Sequence, residues 1–332
     1  MGSRVLKWGL LSTAAINRAV ISPLRESARN QLAAVASRDR ARAERYATEW
    51  GIPRAMGSYE AMLSDPEIDV VYVSLPNSMH AEWTIKAVAA GKHVLCEKPL
   101  AISVEEVDAI TSAAGRAGVV VAEAFMYRHH PQTLKVQQLI SGGDIGQLRV
   151  IRGGFTFNIA NPEDVRLNPG LGGGSIWDVG CYPISYARAV VGADPLQVFG
   201  WQVTGESGVD ETFVGQMCFA DGAYAQFDSG FRAPERMLME FVGSAGTITL
   251  PNAFKPGSDA KIVFCRESGT PEPIRVESQD LYLGEVEDLA DAVLNGKAPR
   301  ISLADSRGNV AAIVALLESA RQGRPIALPA SR

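Results

Sequence analysis

The chain is 332 residues long, with 46% hydrophobic and 21% charged residues, an ordinary globular composition with ample core and a length that points to about two domains. A formal net charge of −5 argues against a nucleic-acid partner, because phosphate binding needs a basic surface. No apolar run approaches the roughly 20 residues of a membrane span, which argues against a membrane partner.

Residues 1–124 alternate strand and helix with short links. Strands are expected at Val5–Leu11, Gln31–Ala36, Val70–Leu75, Val94–Cys96 and Val119–Ala122, with helices over Ala14–Glu26, Arg40–Trp50, Tyr59–Leu63, His80–Ala90 and Val104–Ala117. The strands are rich in Val, Leu and Ala without alternation, as in a parallel sheet buried on both faces. The pattern is that of a doubly wound dinucleotide-binding (Rossmann) domain. The first strand begins so close to residue 1 that no signal peptide is expected, and a cytoplasmic location follows.

From residue 125 to 332 the strands lengthen and alternate: Leu148–Asn158, Leu196–Thr204, Glu211–Phe219, Ala223–Ser229, Met237–Val242, Thr247–Leu250 and Lys261–Arg266. One helix, Ser175–Val190, interrupts them, and two, Gly284–Asn295 and Ser302–Gln322, close the chain. This predicts an α+β domain with an open, mostly antiparallel sheet, for substrate binding and oligomerisation. Four widely spaced cysteines (Cys96, Cys181, Cys218, Cys265) read as buried thiols of a reducing compartment. His129 and His130 are adjacent, which suits neither one helix face nor one strand face, and no metal is expected.

Several stretches carry chemistry. After the first strand the chain reads Ser12-Thr13-Ala14-Ala15-Ile16-Asn17, where a dinucleotide fingerprint has glycines; small residues at 12 and 14 still let backbone approach a pyrophosphate at a helix N-terminus. The second strand ends in Ser37-Arg38-Asp39, with no acid at its tip. A hydroxyl and a guanidinium there suit a 2′-phosphate, although Asp39 could turn toward a ribose diol instead. Ser74-Leu75-Pro76-Asn77 leads into a helix at His80 and is expected to line the cofactor, with His80 near the pyrophosphate or ribose. Val94-Leu-Cys-Glu97-Lys98-Pro99 ends a strand abruptly, so Lys98 points into the cleft where ligands of open α/β sheets sit, and Pro99 restricts its placement. In Gly172-Gly-Gly-Ser-Ile-Trp177-Asp178-Val-Gly-Cys-Tyr182, three glycines let backbone approach something at a helix start. Asp178 and Tyr182, four apart, share a helix face.

Together, Glu97-Lys98-Pro99, Glu123-Ala-Phe125-Met-Tyr-Arg128-His-His-Pro131 and the Gly172–Tyr182 stretch resemble the glucose-fructose oxidoreductase / inositol 2-dehydrogenase / rhizopine-catabolism family over nearly the whole chain. The resemblance implies a nicotinamide cofactor, with the catalytic lysine at Lys98. The family's D-x-G-x-H motif falls on Asp178 to residue 182. Tyrosine at 182 resembles the branch of sugar dehydrogenases, sugar 3-ketoreductases and dihydrodiol dehydrogenases, and argues against an inositol dehydrogenase. The cofactor-facing set implied is Ser12, Thr13, Ala14, Ile16, Ser37, Arg38, Leu75, Pro76, Asn77, His80, Glu97, Lys98, Arg128, Arg166, Trp177 and Tyr282. The cofactor is NADP, with NAD possible.

The expected activity is NADP(H)-dependent hydride transfer on a sugar or sugar-like polyol, by an aldose or pyranose dehydrogenase or a keto-sugar reductase. Tyr182 acts as acid/base, Lys98 favours its phenolate, and Asp178 binds a substrate hydroxyl or orients Lys98. Arg166 and Tyr282 are candidates for the pocket wall. A trans-dihydrodiol dehydrogenase is the nearest alternative. A glycosidase using NAD for transient oxidation is a second, and a non-catalytic NADPH sensor a third. The mixed outer face of the second sheet, with Val214, Cys218 and Tyr224 among polar residues, predicts a homodimer or homotetramer.

Overall fold

The computed structural model describes residues 4–258 and 260–329. The chain divides into two compact units, Met1–His129 with Tyr282–Arg307, and His130–Leu281 with Gly308–Arg332.

The first unit contains β1 (Leu6–Leu11), α1 (Asn17–Glu26), β2 (Asn30–Ala36), α2 (Arg40–Trp50), β3 (Arg54–Met56), α3 (Tyr59–Leu63), β4 (Val70–Val73), α4 (His80–Ala89), β5 (His93–Glu97), α5 (Val104–Ala117) and β6 (Val121–Ala124). The strands form a six-stranded sheet in the order β3-β2-β1-β4-β5-β6, parallel at every pairing. Strands such as β4 are buried along their whole length, which is why their sequences show no alternation. Helix ends follow local chemistry. The Ser58 and Ser103 hydroxyls cap α3 and α5, and α2 stops where Gly51 takes a left-handed φ of 57°.

The second unit begins with α6 (Pro131–Ser141), continues through β7 (Leu148–Asn158), α7 (Cys181–Val191), β8 (Gln197–Thr204), β9 (Asp210–Cys218), β10 (Tyr224–Gly230), β11 (Arg232–Gly243), β12 (Gly246–Leu250), β13 (Lys261–Arg266) and β14 (Glu272–Arg275), and ends at β15 (Ile326–Ala327). Its nine strands lie in the order β14-β13-β12-β11-β7-β10-β9-β8-β15. All neighbours pair antiparallel except β7 and β10, which run parallel. Phe155, Phe213, Met217 and Phe227 are buried on one face.

Two expectations are corrected. The segment Tyr282–Arg307, assigned by sequence to the second domain, belongs to the first unit. Its α8 (Leu283–Asn295) buries Val286, Leu289 and Ala290 in the core that contains Leu6, Trp8 and Val70, and Arg29 forms ion pairs with Glu287 and Asp291. An amphipathic pattern says that a helix covers a core, not which core. The closing helix α9 (Leu303–Gln322) likewise contributes residues 303–307 to the first unit and 308–322 to the second. The helix expected from Ser175 also begins differently: Ile176–Gly180 is a wide π-helical turn, and α7 starts at Cys181. Helix α6, which the sequence reading left unassigned, has Pro131 at its first position and His130 as its cap. Among the described residues no helix is long and apolar enough to cross a membrane.

Candidate active site

In the first unit β1 and β4 are neighbours, and the strand order reverses between them; the crevice outside the carboxyl ends at such a point is where open α/β sheets bind ligands. A serine follows each of the two strands there, Ser12 and Ser74. Ser12 has a φ of 153°, a conformation that favours glycine. It is held by a buried polar knot. Its hydroxyl accepts from the Ala14 N–H (3.0 Å) and bonds the Ser74 hydroxyl (2.8 Å), which bonds Asn17 Oδ1 (2.6 Å), while Asn17 Nδ2 donates to the Ser12 carbonyl (2.8 Å). Side-chain hydrogen bonds thus hold a turn that glycines elsewhere reach by conformational freedom. Thr13, Ala14 and Ile16 lie half-buried on it. The residues fit a pyrophosphate because no bulky side chain occupies positions 12 or 14.

At the tip of β2 the Asp39 carboxylate accepts from the N–H groups of Ala41 (2.9 Å) and Arg42 (3.3 Å), capping α2. It caps the helix through one oxygen. Ser37 is buried, with its hydroxyl accepting from the Asp39 N–H (3.2 Å). Arg38 and Arg42 are exposed and, among the described residues, make no ion pair. Tyr59, at the head of α3, lies beside both: burial raises its phenol pKa, and the Arg38 and Arg42 charges oppose the shift. Sequence reasoning missed Tyr59, because a tyrosine after a helix cap looks like core. A basic tip of this kind fits a 2′-phosphate.

His80 is held by backbone on both sides. Both its ring nitrogens meet backbone carbonyls, Nδ1 that of Pro99 and Nε2 that of Leu75, each at 2.7 Å, and its burial holds the pKa below the usual histidine range. It braces the Leu75–Asn77 loop against the Lys98-Pro99 turn. Leu75 is buried, whereas Pro76 and Asn77 are half-buried on that loop. The Lys98–Pro99 peptide is cis. On one side of it, Glu97 accepts a hydrogen bond from the Tyr72 hydroxyl; on the other, Glu123 Oε1 accepts from the Leu100 N–H (2.9 Å). The half-buried Lys98 therefore stands on a segment pinned from three directions. Arg128, expected at the cofactor, is buried and ion-paired with Asp305 (3.1 Å), so its guanidinium serves the unit's interior. Tyr282 packs, partly buried, against the first unit's core.

In the second unit the three glycines have a local reason. The Gly173 N–H donates to the Asn168 carbonyl (3.0 Å) and the Gly174 N–H to the Arg166 carbonyl (2.9 Å). A Cβ on Gly173 would collide with the Arg166 carbonyl, and one on Gly174, whose φ is 122°, with Asp210 Oδ1. What the backbone approaches here is the preceding loop and a buried carboxylate. Arg166, tied by that loop, donates from Nε to Asp178 Oδ2 (2.8 Å) and pairs with Asp164 (3.2 Å). The expected role of Asp178 toward substrate or Lys98 is joined by this ion pair. Trp177 is buried in the wide turn. Tyr182 is only 5% exposed, with its ring 5.3 Å from those of Phe155 and Phe254. Asp210, which caps the turn, carried no sequence signal, since a lone acid at a strand start reads as a turn residue.

A reversed-order parallel sheet with small residues at the turn after β1, joined in one chain to an α+β unit with an open sheet, is the architecture of a two-domain dinucleotide-binding enzyme. The oxidoreductase family with an NAD-binding Rossmann fold, GFO/IDH/MocA, matches residues 6–125, and its C-terminal domain matches residues 133–249. The chain belongs to this family. It is 37% identical over 327 residues to D-xylose 1-dehydrogenase (NADP(+)) 2 of Haloferax volcanii, covering 97% of this chain and 100% of that one. Among solved structures it is similar to an aldose-aldose oxidoreductase from Caulobacter crescentus complexed with glycerol, with a TM-score of 0.92 at 27% identity over 98% of this chain and 100% of that one. It is also similar to a 3-ketoreductase from Actinomadura kijaniata in complex with NADP and TDP-benzene, with a TM-score of 0.90 at 29% identity over 95% and 98%.

Proposed function

We propose that the protein transfers a hydride between NADP(H) and a sugar or sugar-like polyol, as an aldose or pyranose dehydrogenase or a keto-sugar reductase. The observation that carries this reading is the identity, sustained along the whole chain, to an NADP-dependent D-xylose 1-dehydrogenase. The exposed Arg38 and Arg42 at the ribose end, beside an Asp39 that caps α2, support NADP. The bound nicotinamide supplies the hydride acceptor or donor. Tyr182 takes the hydroxyl proton in oxidation and returns it in reduction, and Lys98 favours the phenolate and the developing alkoxide. Asp178, oriented by Arg166, accepts a substrate hydroxyl, and Tyr282 lines the pocket wall.

The test is a panel of aldoses, keto-sugars and diols with NADP⁺ and NAD⁺, or their reduced forms, followed by nicotinamide absorbance. A site built to hydrogen-bond hydroxyls rejects analogues that lack them, so sugars with several hydroxyls are expected to lead, D-xylose among them. Should aromatic trans-dihydrodiols outperform every sugar, the enzyme is a dihydrodiol dehydrogenase. Phenol release from an aryl glycoside without net NADPH change assigns it to the glycosidases.

The open face of the second unit's sheet supports a homo-oligomer. Trp201 is 54% exposed, Val203 63%, Val214 42% and Tyr224 58%, and Trp201 stands directly across from Val214 on the neighbouring strand. Contiguous exposed aromatic and branched side chains mark an interaction surface, and twofold self-pairing is the commonest way to cover one. Light scattering at micromolar concentration is expected to give twice or four times the 35.5 kDa chain mass. A clean monomer rules this out.

A further inference from the structure

The wide turn Ile176–Gly180 is anchored at its start to a buried polar cluster against which its far end packs closely. At its start, Asp210 Oδ2 accepts from the Ser175 hydroxyl (2.7 Å) and from the Ile176 N–H (2.8 Å). The Ser175 hydroxyl also lies 3.0 Å from that of Ser229 on β10. At the end of the turn Gly180 abuts the same serine: a Cβ there would stand 3.0 Å from Ser229 Oγ. Asp210 is 5% exposed, and both serines are fully buried. Gly174 is required because any side chain would enter the space of the carboxylate. The turn carries Asp178 and leads directly into Tyr182 at the second position of α7.

We propose that the Asp210 carboxylate is a positioning residue for the reaction, holding Ser175 and Ile176 so that the wide turn presents Asp178 and Tyr182 in working register. This rests on the reading of Tyr182 as acid/base. An asparagine would offer the same turn an acceptor oxygen without a buried charge. What the carboxylate adds is charge-assisted hydrogen bonds at the positive end of a helix. It does so at a cost in stability, since burial pushes its pKa up to about 6 against the opposing pull of those hydrogen bonds. The charged groups on the elements packed around it are engaged elsewhere: Asp178 with Arg166, Glu211 with Arg232, and Asp228 with Arg236. The group across the strand pair is the uncharged Thr204. Because the folded-state pKa is raised, the stability that Asp210 contributes is present at low pH and lost as pH rises through about 6.

The experiment compares wild type, Asp210→Asn, Ser175→Ala and Tyr182→Phe. It uses D-xylose, or the fastest sugar of the panel, with NADP⁺ between pH 5 and 9, and records melting temperature and NADP⁺ dissociation constant in parallel. Asp210→Asn is expected to lower kcat about tenfold or more, as small misplacements of reacting groups do, with KM and cofactor binding near wild type. Its melting temperature at pH 8 should equal or exceed that of wild type, an advantage that shrinks toward pH 5. The wild-type kcat profile should show an acid limb near pH 6 that is missing in Asp210→Asn. In Ser175→Ala, which removes a hydrogen bond to the charged form, that limb should move to higher pH. A wild-type kcat and profile in Asp210→Asn overturns the proposal. So does a lowered melting temperature at pH 8 with kcat, KM and cofactor binding all impaired, which marks plain structural damage. If Tyr182→Phe keeps the wild-type rate, the acid/base reading fails alone, and Asp210 is still judged by its own limb.

Discussion

Tyr182→Phe is expected to lower kcat by roughly 10²–10⁴-fold, the usual worth of a positioned proton transfer, while the NADP⁺ dissociation constant stays near wild type. The substitution removes one hydroxyl and keeps the ring that packs 5.3 Å from Phe155 and from Phe254. A phenol with an ordinary pKa of about 10 is a weak base near neutrality. It needs a neighbouring cation to favour the phenolate, and Lys98 is the proposed source. Lys98→Met is therefore expected to reduce kcat by a similar factor. The two losses should be strongly non-additive, since each variant disables the same relay. Steady-state and single-turnover kinetics on both single variants and the double variant check this. A Tyr182→Phe enzyme near the wild-type rate would falsify the acid/base assignment, and fully additive losses would separate the two residues into independent roles.

The second large effect is expected at Arg38. With NADP⁺, Arg38→Ala should lose roughly ten- to a hundredfold in kcat/KM, the equivalent of the 1.5–3 kcal/mol of a hydrogen bond to a charged group. With NAD⁺ it should change little. Wild type should prefer NADP⁺. The reasoning is electrostatic: the two exposed guanidiniums of Arg38 and Arg42 attract a 2′-phosphate, while the Asp39 carboxylate is directed to the N–H groups of Ala41 and Arg42 at the start of α2. Arg38 is exposed and outside any ion pair among the described residues, so its removal leaves no buried charge behind. A wild-type preference for NAD⁺, or an Arg38→Ala variant as good with NADP⁺ as wild type, refutes the assignment.

Much of the molecule is written in local patterning. Apolar runs such as Val70–Val73 and alternating ones such as Asp210–Cys218 separate a sheet buried on both faces from one buried on a single face, because side-chain period and burial are properties of a few consecutive residues. The same holds for the Lys98-Pro99 turn at the end of β5 and for the basic end of β2, whose chemistry lies in adjacent residues.

Features that depend on which distant residue arrives next to a given one were not legible. The turn after β1 looks deficient, since Ser12 stands where a glycine is expected; it is held by Ser74, which only the pairing of β1 with β4 brings there. His80 reads as a ligand residue at a loop, yet two backbone carbonyls from separate strand ends take both its nitrogens. The glycine run at 172–174 signals close approach but not to what, and its partners prove to be the Arg166 and Asn168 carbonyls and the Asp210 carboxylate. Helix α8 shows an apolar face whose pattern is identical whichever core it covers. The residue types available for chemistry are therefore a matter of sequence, set by short-range periodicity and turn chemistry. Which of them are held by neighbours was decided by tertiary packing, because hydrogen-bond partners of buried polar groups come from strands and loops far apart in the chain.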